Sequence, residues 1–320
     1  MSASTDTRAR PVVADAVGRR RGAYAALVIL QHIGVPLVMA VLIAAGPRAD
    51  GTFWWTMVWI AVAYTAFVLR VGAWYWFGDL ARAGVGAIVA AGAVMGSHAA
   101  IVRGLPVGGW QLALGPLIAA PLVAMLALAW RARPMPPAAF ACTFPLRGGT
   151  FHVAQGGAGK VVNYHYPHGA QRYALDIVRV NASGRRARGA YPNQLDAYFA
   201  VGATVVSPCD GVVIAAHDGM PDHDPPARDR DNPPGNYVAI RSADVAFLLA
   251  HLMRGSIAVR VGEQVRAGQP VARVGNSGNG TEPHLHVHAE RGARGALSTG
   301  TGVPLEFDDR CLVRNDRVRA

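Results

Sequence analysis

The sequence predicts an N-terminal α-helical transmembrane bundle of about four spans followed by a C-terminal all-β domain built on an antiparallel sheet. Only 16% of the 320 residues are charged, against about 25% in ordinary soluble proteins, and 52% are hydrophobic. The deficit is concentrated in residues 1–133, where eleven arginines and four acids are separated by long uncharged stretches. After Arg133, short β-rich runs alternate with Gly, Asn and Asp clusters, the pattern of an all-β domain. This composition excludes a disordered chain, which needs low hydrophobicity. Three cysteines exclude a disulfide scaffold.

Residues 1–22 are polar and arginine-rich, ending in Arg19-Arg20-Arg21, and read as a disordered basic arm. Four apolar stretches follow, at approximately 23–46, 53–69, 83–102 and 107–130. Crossing ~30 Å of hydrocarbon takes roughly 17 to 25 apolar residues. The second stretch is the shortest, and its helix has room to continue past Arg70 into Trp74-Tyr75-Trp76-Phe77. Trp54, Trp55, Trp74, Trp76, Trp110 and Trp130 lie near the ends, where amphipathic rings favour the membrane interface. The first stretch exceeds the h-region of a signal peptide and is followed by three more, so it reads as retained.

Residues 131–144, opening Arg-Ala-Arg-Pro-Met-Pro-Pro, form a linker. Strands are expected at Tyr173–Val180, Thr204–Val206, Gly211–Ala216, Tyr237–Arg241, Val245–Leu252, Pro270–Val274 and His284–Glu290. Asn181–Asp196 and His217–Pro234 are polar and read as surface loops. The units Pro208–Val213 and Val261–Val271 resemble the half-barrel hairpins of biotinyl and lipoyl carrier domains. Such carriers need a lysine at a hairpin tip, and the one lysine, Lys160, lies outside both. Cys142, Cys209 and Cys311 lack metal-ligand spacing.

The formal charge of +11 does not point to nucleic acid, because no zinc-finger, homeodomain-like or RNP-like pattern accompanies it. Seven of those units belong to residues 1–133, which points instead to a membrane surface.

The histidines carry the chemistry. In the strand containing His284-Leu285-His286-Val287-His288, alternation places the three histidines on one face. Zinc hydrolases commonly use three protein ligands, often histidine with a carboxylate, and keep a fourth position open. Asp176 is a lone acid in an apolar strand. His165 and His168 lie upstream in Asn163-Tyr164-His165-Tyr166-Pro167-His168, and His251 sits inside an apolar run. No H-E-x-x-H helix or C-x-x-C pair is present.

Ala250-His251-Leu252, Val261-Gly262-Glu263-Gln264-Val265, Gly268-Gln269-Pro270, Gly275-Asn276-Ser277-Gly278 and Pro283-His284-Leu285-His286 together resemble the lysostaphin/LytM-type zinc endopeptidases of bacterial peptidoglycan. The resemblance implies a peptidase domain over residues 145–315 with a zinc groove. It implies that zinc is held by His165, Asp176 and His286, and that His251 and His284 are catalytic. The usual H-x-G-x-D pattern would place a histidine at Arg172. Asn163-x-His165 with Gln171-Arg172-Tyr173-Ala174-Leu175-Asp176 looks like a variant of it, with His168 as the alternative first ligand. His288 stands where many relatives carry glutamate, and it is expected to border the groove without binding the metal.

The implied protein is a multi-pass enzyme of the bacterial cytoplasmic (inner) membrane that hydrolyses peptide bonds in peptidoglycan cross-links. Its implied partners are the peptidoglycan peptide, the lipid bilayer and an unidentified regulatory protein. The competing class is a non-catalytic cell-wall-binding or hydrolase-regulating module on the same fold. A third, weaker option is a histidine-phosphorylated sugar-transport component, in which Asp176 would have no role. A wall substrate requires an extracytoplasmic catalytic domain. That conflicts with the positive-inside rule applied to Arg19–Arg21 and four spans. Either the N-terminus is also outside, or one stretch, Phe53–Leu69 first, does not cross.

Overall fold

The computed structural model describes residues 22–47, 51–104, 111–133, 139–293 and 298–320. Residues 1–21 of the expected arm, Trp110 and residues 134–138 of the linker lie outside the described residues. Four helices are present: α1 (Gly22–Ala44), α2 (Gly51–Val71), α3 (Asp79–Val102) and α4 (Gln111–Arg131). All four are long and apolar enough to cross a membrane. Their outward faces carry large apolar side chains, with Val41, Val94 and Leu117 each 70% exposed. Water would penalise such a surface.

Two helix boundaries differ from the expectation. α2 stops at Val71, and the aromatic run forms a separate 3-10 turn at Trp74–Trp76. α3 begins at Asp79, four residues before the uncharged stretch, because a carboxylate in the first turn complements the helix dipole. Close helix packing depends on Gly92 and Gly96 of α3. A Cβ at either would collide with a carbonyl oxygen of Ala40 or Ile43 on α1.

One end of the bundle is bonded throughout to the β domain. Arg70 at the end of α2 donates to the Arg314 carbonyl at 3.0 Å, and Asn315 donates back to the Arg70 carbonyl at 2.8 Å. At the start of α3, the Asp79 N–H donates to Ser183 O, while its carboxylate pairs with Arg317. Beyond α4, Arg133 pairs with Asp316 at 2.9 Å. Gly78 permits the α2–α3 elbow to approach the β domain, since its φ is +89° and a Cβ there would meet Ser183 O. The first turns of α1 also dock, with Val28 packing beside Tyr75, Trp76, Ala154, Val178 and Val180.

The β domain is dominated by a nine-stranded sheet. Its strands are β1 (Thr150–Gln155), β2 (Leu175–Val180), β3 (Gly211–His217), β4 (Asn236–Ser242), β5 (Val245–Leu252), β6 (Gln264–Val265), β7 (Leu285–Arg291), β8 (Thr301–Val303) and β9 (Arg317–Arg319). The order is β9-β1-β2-β7-β5-β4-β3-β6, with β8 pairing β7. All pairs are antiparallel. Thr204–Val206 instead joins a second, three-stranded sheet with Pro270–Arg273 and Leu146–Arg147. The two hairpin units meet through β3 and β6, and no closed barrel forms among the described residues. The core runs from Phe151 and Ile177 through Phe247 and Leu249 to Leu285 and Val287.

Candidate metal centre and catalytic groove

The site begins with strand register. β7 lies between β2 and β5, so His286 stands directly opposite Asp176 on one side and Ala250 on the other. That register brings together residues 110 positions apart in the chain, with His286 Nδ1 2.9 Å from Asp176 Oδ1. His251 follows Ala250 in the penultimate position of β5 and adopts a left-handed φ of +61°. A non-glycine residue held there costs about 1 kcal/mol or more, which the surrounding bonds must offset. Its N–H donates to Pro234 O, and its carbonyl accepts from Gly275 N–H.

His165 comes from the loop between β1 and β2, and Asn163 shapes that loop. The Asn163 side chain is fully buried. Its Nδ2 faces the carbonyls of Gly157, Arg172 and Ala174 at 3.0–3.2 Å, and its Oδ1 accepts the His165 N–H at 3.0 Å. The N-x-H pattern thus has a mechanical basis: the asparagine closes the loop that presents the histidine. His165 Nε2 lies 3.1 and 3.0 Å from the two oxygens of Asp176.

His165, Asp176 and His286 are all buried, and their potential ligand atoms lie within 4.8 Å of one another. Two imidazoles and a carboxylate match a catalytic zinc donor set. His168 is exposed, outside this group. Arg172 is also exposed, with its guanidinium 5.2 Å from the Tyr166 ring centroid.

Beside the three lie His251 and His284, their ring centroids 4.7 Å apart. His251 Nδ1 is 2.9 Å from Ser277 O, and His284 Nδ1 is 2.7 Å from Glu282 O. A carbonyl only accepts, so both rings carry hydrogen on Nδ1 and leave Nε2 for chemistry. His284 Nε2 is 3.7 Å from Asp176 Oδ1.

Electrostatics follow from burial and from the central carboxylate. Burial opposes ionisation of Asp176, but His165 and His284, with hydrogen bonds from His165 and His286, hold its carboxyl well below the usual range. Burial also works against charge on His165, yet Asp176 outweighs it and moves that imidazole up. His286 is moved down by burial against the pull of Asp176. His251 lies well below the usual histidine value because it is buried beside His284 and His286.

The expectation for His288 is corrected. It does not border the groove; it is 1% exposed, with Nδ1 3.0 Å from His286 Nε2. Leu285–Glu290 are buried, so alternation placed His288 on the correct face but under its neighbour. The loop at Asn181–Asp196 needs a similar correction, because Arg186 within it is buried. Arg186 Nε donates to Glu282 at 2.7 Å, its backbone N–H donates to Tyr75 O, and its guanidinium carbon lies 3.9 Å from the Trp76 ring centroid. Sequence reading missed it because a polar, arginine-containing loop looks solvated. The aromatic residues that enclose it are far upstream.

A cavity of about 510 Å³ opens from Asp176, His251 and His284 toward α1 and the Trp74–Trp76 elbow.

Residues 193–297 match the family model described as Peptidase family M23. That span contains His251, His284 and His286, while His165 and Asp176 precede it. Similar solved structures include a mutant catalytic domain of a prophage-encoded M23 protein, EnpA, from Enterococcus faecalis. It shows 22% identity over 32% of this chain and 73% of its own, with a TM-score of 0.23. The catalytic domain of the antimicrobial peptidase lysostaphin from Staphylococcus simulans shows 21% identity over 36% and 84%, with a TM-score of 0.23. A zinc-containing peptidase from Vibrio cholerae shows 21% identity over 41% of this chain and 50% of its own, with a TM-score of 0.24. Behind four long apolar helices, residues 193–297 of the C-terminal β domain match Peptidase family M23.

Proposed function

We propose that this protein is a membrane-anchored, zinc-dependent endopeptidase that hydrolyses peptide bonds in peptidoglycan cross-links. The observation that carries this reading is the buried His165–Asp176–His286 group with two further histidines beside it. In this reading His165, Asp176 and His286 hold the metal. When bound, zinc supplies Lewis acidity to the scissile carbonyl and lowers the pKa of water. His251, kept neutral by burial, takes the proton of the attacking water at Nε2. His284, braced by the Glu282 carbonyl and carrying hydrogen on both ring nitrogens in this reading, stabilises the developing oxyanion through Nε2–H, and the proton held by His251 passes to the leaving amine.

The reading also fixes an orientation. Four helices return the chain to the face it started from, and the contacts of Val28, Arg70, Asp79 and Arg133 support a β domain on that face. A wall substrate makes it the extracytoplasmic face, and residue 22 lies there too. Arg70 and Arg133, which count toward the opposite orientation, are engaged by Arg314 O and Asp316.

Full-length protein loaded with zinc in detergent, incubated with purified sacculi, should release new amino groups. His286→Ala should lose both bound zinc and cleavage. A wall-binding module would retain its effect on the wall in that variant, and such a result would replace the enzyme reading.

A further inference from the structure

The cavity that starts at the candidate metal site does not end within the β domain. Its far wall is built by Tyr24 and Gln31 of α1 and by Tyr75 of the elbow, and Arg314 lines it as well. The helical region is therefore part of the site's walls.

Arg314 is the unusual group there. Its backbone is occupied, with its N–H donating to Gly156 O and its carbonyl accepting from Arg70. Its side-chain Nε is buried and has no hydrogen-bond partner among the described residues. An unpartnered buried donor costs on the order of 1–3 kcal/mol, more when charged. The acids lining the cavity among the described residues are Asp176 and Glu282. Asp176 is surrounded by the site histidines, and Glu282 is engaged by Arg186 at 2.7 Å. Neither is free to partner Arg314. A second cation, the exposed Arg228, also lines the cavity. Gln31, Gln155 and Asn279 add amide groups suited to a peptide backbone. The volume of about 510 Å³ falls within the ~300–1,000 Å³ of pockets that hold compact ligands.

We propose that this cavity is a substrate subsite that takes a short peptide segment bearing a carboxylate, with Arg314 as the group that binds it. This rests on the peptidase reading above, and it adds that specificity is set where the helical region meets the catalytic domain. A guanidinium recognises a carboxylate through charge-assisted hydrogen bonds, and a carboxamide in its place forfeits the charge.

Binding is measured apart from turnover, on zinc-free full-length protein in detergent, by fluorescence anisotropy of dansyl-tetra-alanine. Three probes are compared: the C-terminal acid, the C-terminal amide, and an amide whose last alanine is glutamate. The acid is expected to bind about tenfold more tightly than the plain amide. The glutamate probe reports whether a side-chain carboxylate serves equally. Arg314→Gln should weaken the acid to the level of the amide and leave the amide unchanged, while Arg314→Lys should retain part of the preference. Because the buried Nε of Arg314 has no hydrogen-bond partner to lose, Arg314→Gln should melt no lower than the wild type. Equal binding of acid and amide, or an equal loss of both in Arg314→Gln, overturns the proposal. Arg314-dependent binding of short-chain phosphatidylglycerol without any peptide preference assigns the cavity to lipid headgroups and likewise overturns it. Failure of the zinc-loaded wild type to cleave sacculi would count against the peptidase reading and would not alter the binding result.

Discussion

Arg186 and Trp76 are stacked, with the guanidinium carbon 3.9 Å from the ring centroid, and this contact joins the helical region to the support of His284. The same guanidinium holds Glu282, whose main-chain carbonyl accepts the Nδ1–H of His284. Trp76→Ala removes the stacking partner and loosens that carbonyl. The expected result is a fall in kcat of about tenfold, since a small misplacement of a catalytic group is enough to lower the rate that far. Steady-state kinetics on Trp76→Ala and Trp76→Phe would check this, with the phenylalanine variant expected to lie between.

Asn163 is expected to be as important to metal binding as a ligand, although it touches no metal. Asn163→Ala strands buried carbonyls at Gly157 and Ala174 and frees the His165 N–H. A loss of about 1–3 kcal/mol in stability should accompany weaker zinc binding. Chelator competition and thermal denaturation of the same samples would show both effects, and unchanged zinc affinity would refute the loop-closing role.

His288 should orient His286 from behind. With His286 Nδ1 facing Asp176, its Nε2–H donates to His288 Nδ1. His288→Ala removes that acceptor and is expected to lower zinc affinity on the order of tenfold. His288→Glu supplies a stronger acceptor at the same place and should restore the affinity. Zinc titration of the two variants separates an orienting role from simple packing, which glutamate would not rescue.

A pH effect on stability is expected from His152, which is not a member of the His165–Asp176–His286 group. This β1 histidine is fully buried, and burial pushes its imidazole down to about 4, against the hydrogen bond that its Nε2–H donates to Asn315 Oδ1. Its unfolded value is near 6.5, so above that pH neither state is charged and folding carries no penalty. As the pH falls from 6.5 toward 4, only the unfolded chain gains the proton, and stability is lost. The loss is about 3 kcal/mol in full, levelling off below pH 4. Denaturant melts at pH 7 and pH 5 should show a drop in the wild type that is reduced in His152→Gln.

Topology gives a fifth test. A compartment reporter fused after Ala320 and another fused ahead of Met1 should report the same side of the membrane, and in the proposed orientation that is the extracytoplasmic side. Opposite compartments would mean an odd number of crossings and contradict four spans.

How much of this was legible in the sequence differs from element to element. Val245–Leu252 matches its expected bounds residue for residue, because every side chain in it is buried and the run is almost uniformly apolar. His165, Asp176 and His286 were implied together by the resemblance to the lysostaphin/LytM-type endopeptidases, and the structure brings them together. β1 was missed because Phe151 to Ala154 are buried on both faces, so no alternation marks it as a strand. β9 is Arg-Val-Arg at a sheet edge, where hydropathy gives no signal. Arg186 and His288 were misread for a shared reason. Each is a polar residue buried by segments distant in sequence, Arg186 by Tyr75 and Trp76 and His288 within a strand covered on both faces, and local pattern does not record such cover.

The docking of Val28, Tyr75 and Trp76 onto Ala154, Val178 and Val180 bears on how the protein can be handled in the laboratory. Cutting before Phe140 to obtain a soluble peptidase would strip the cover from that patch of the sheet. It would also leave Arg186 without its aromatic stack, and the cavity beside His284 without its far wall. The excised fragment should be adhesive and poorly active. Purification and inhibitor screening are therefore better begun with the intact chain in detergent or nanodiscs.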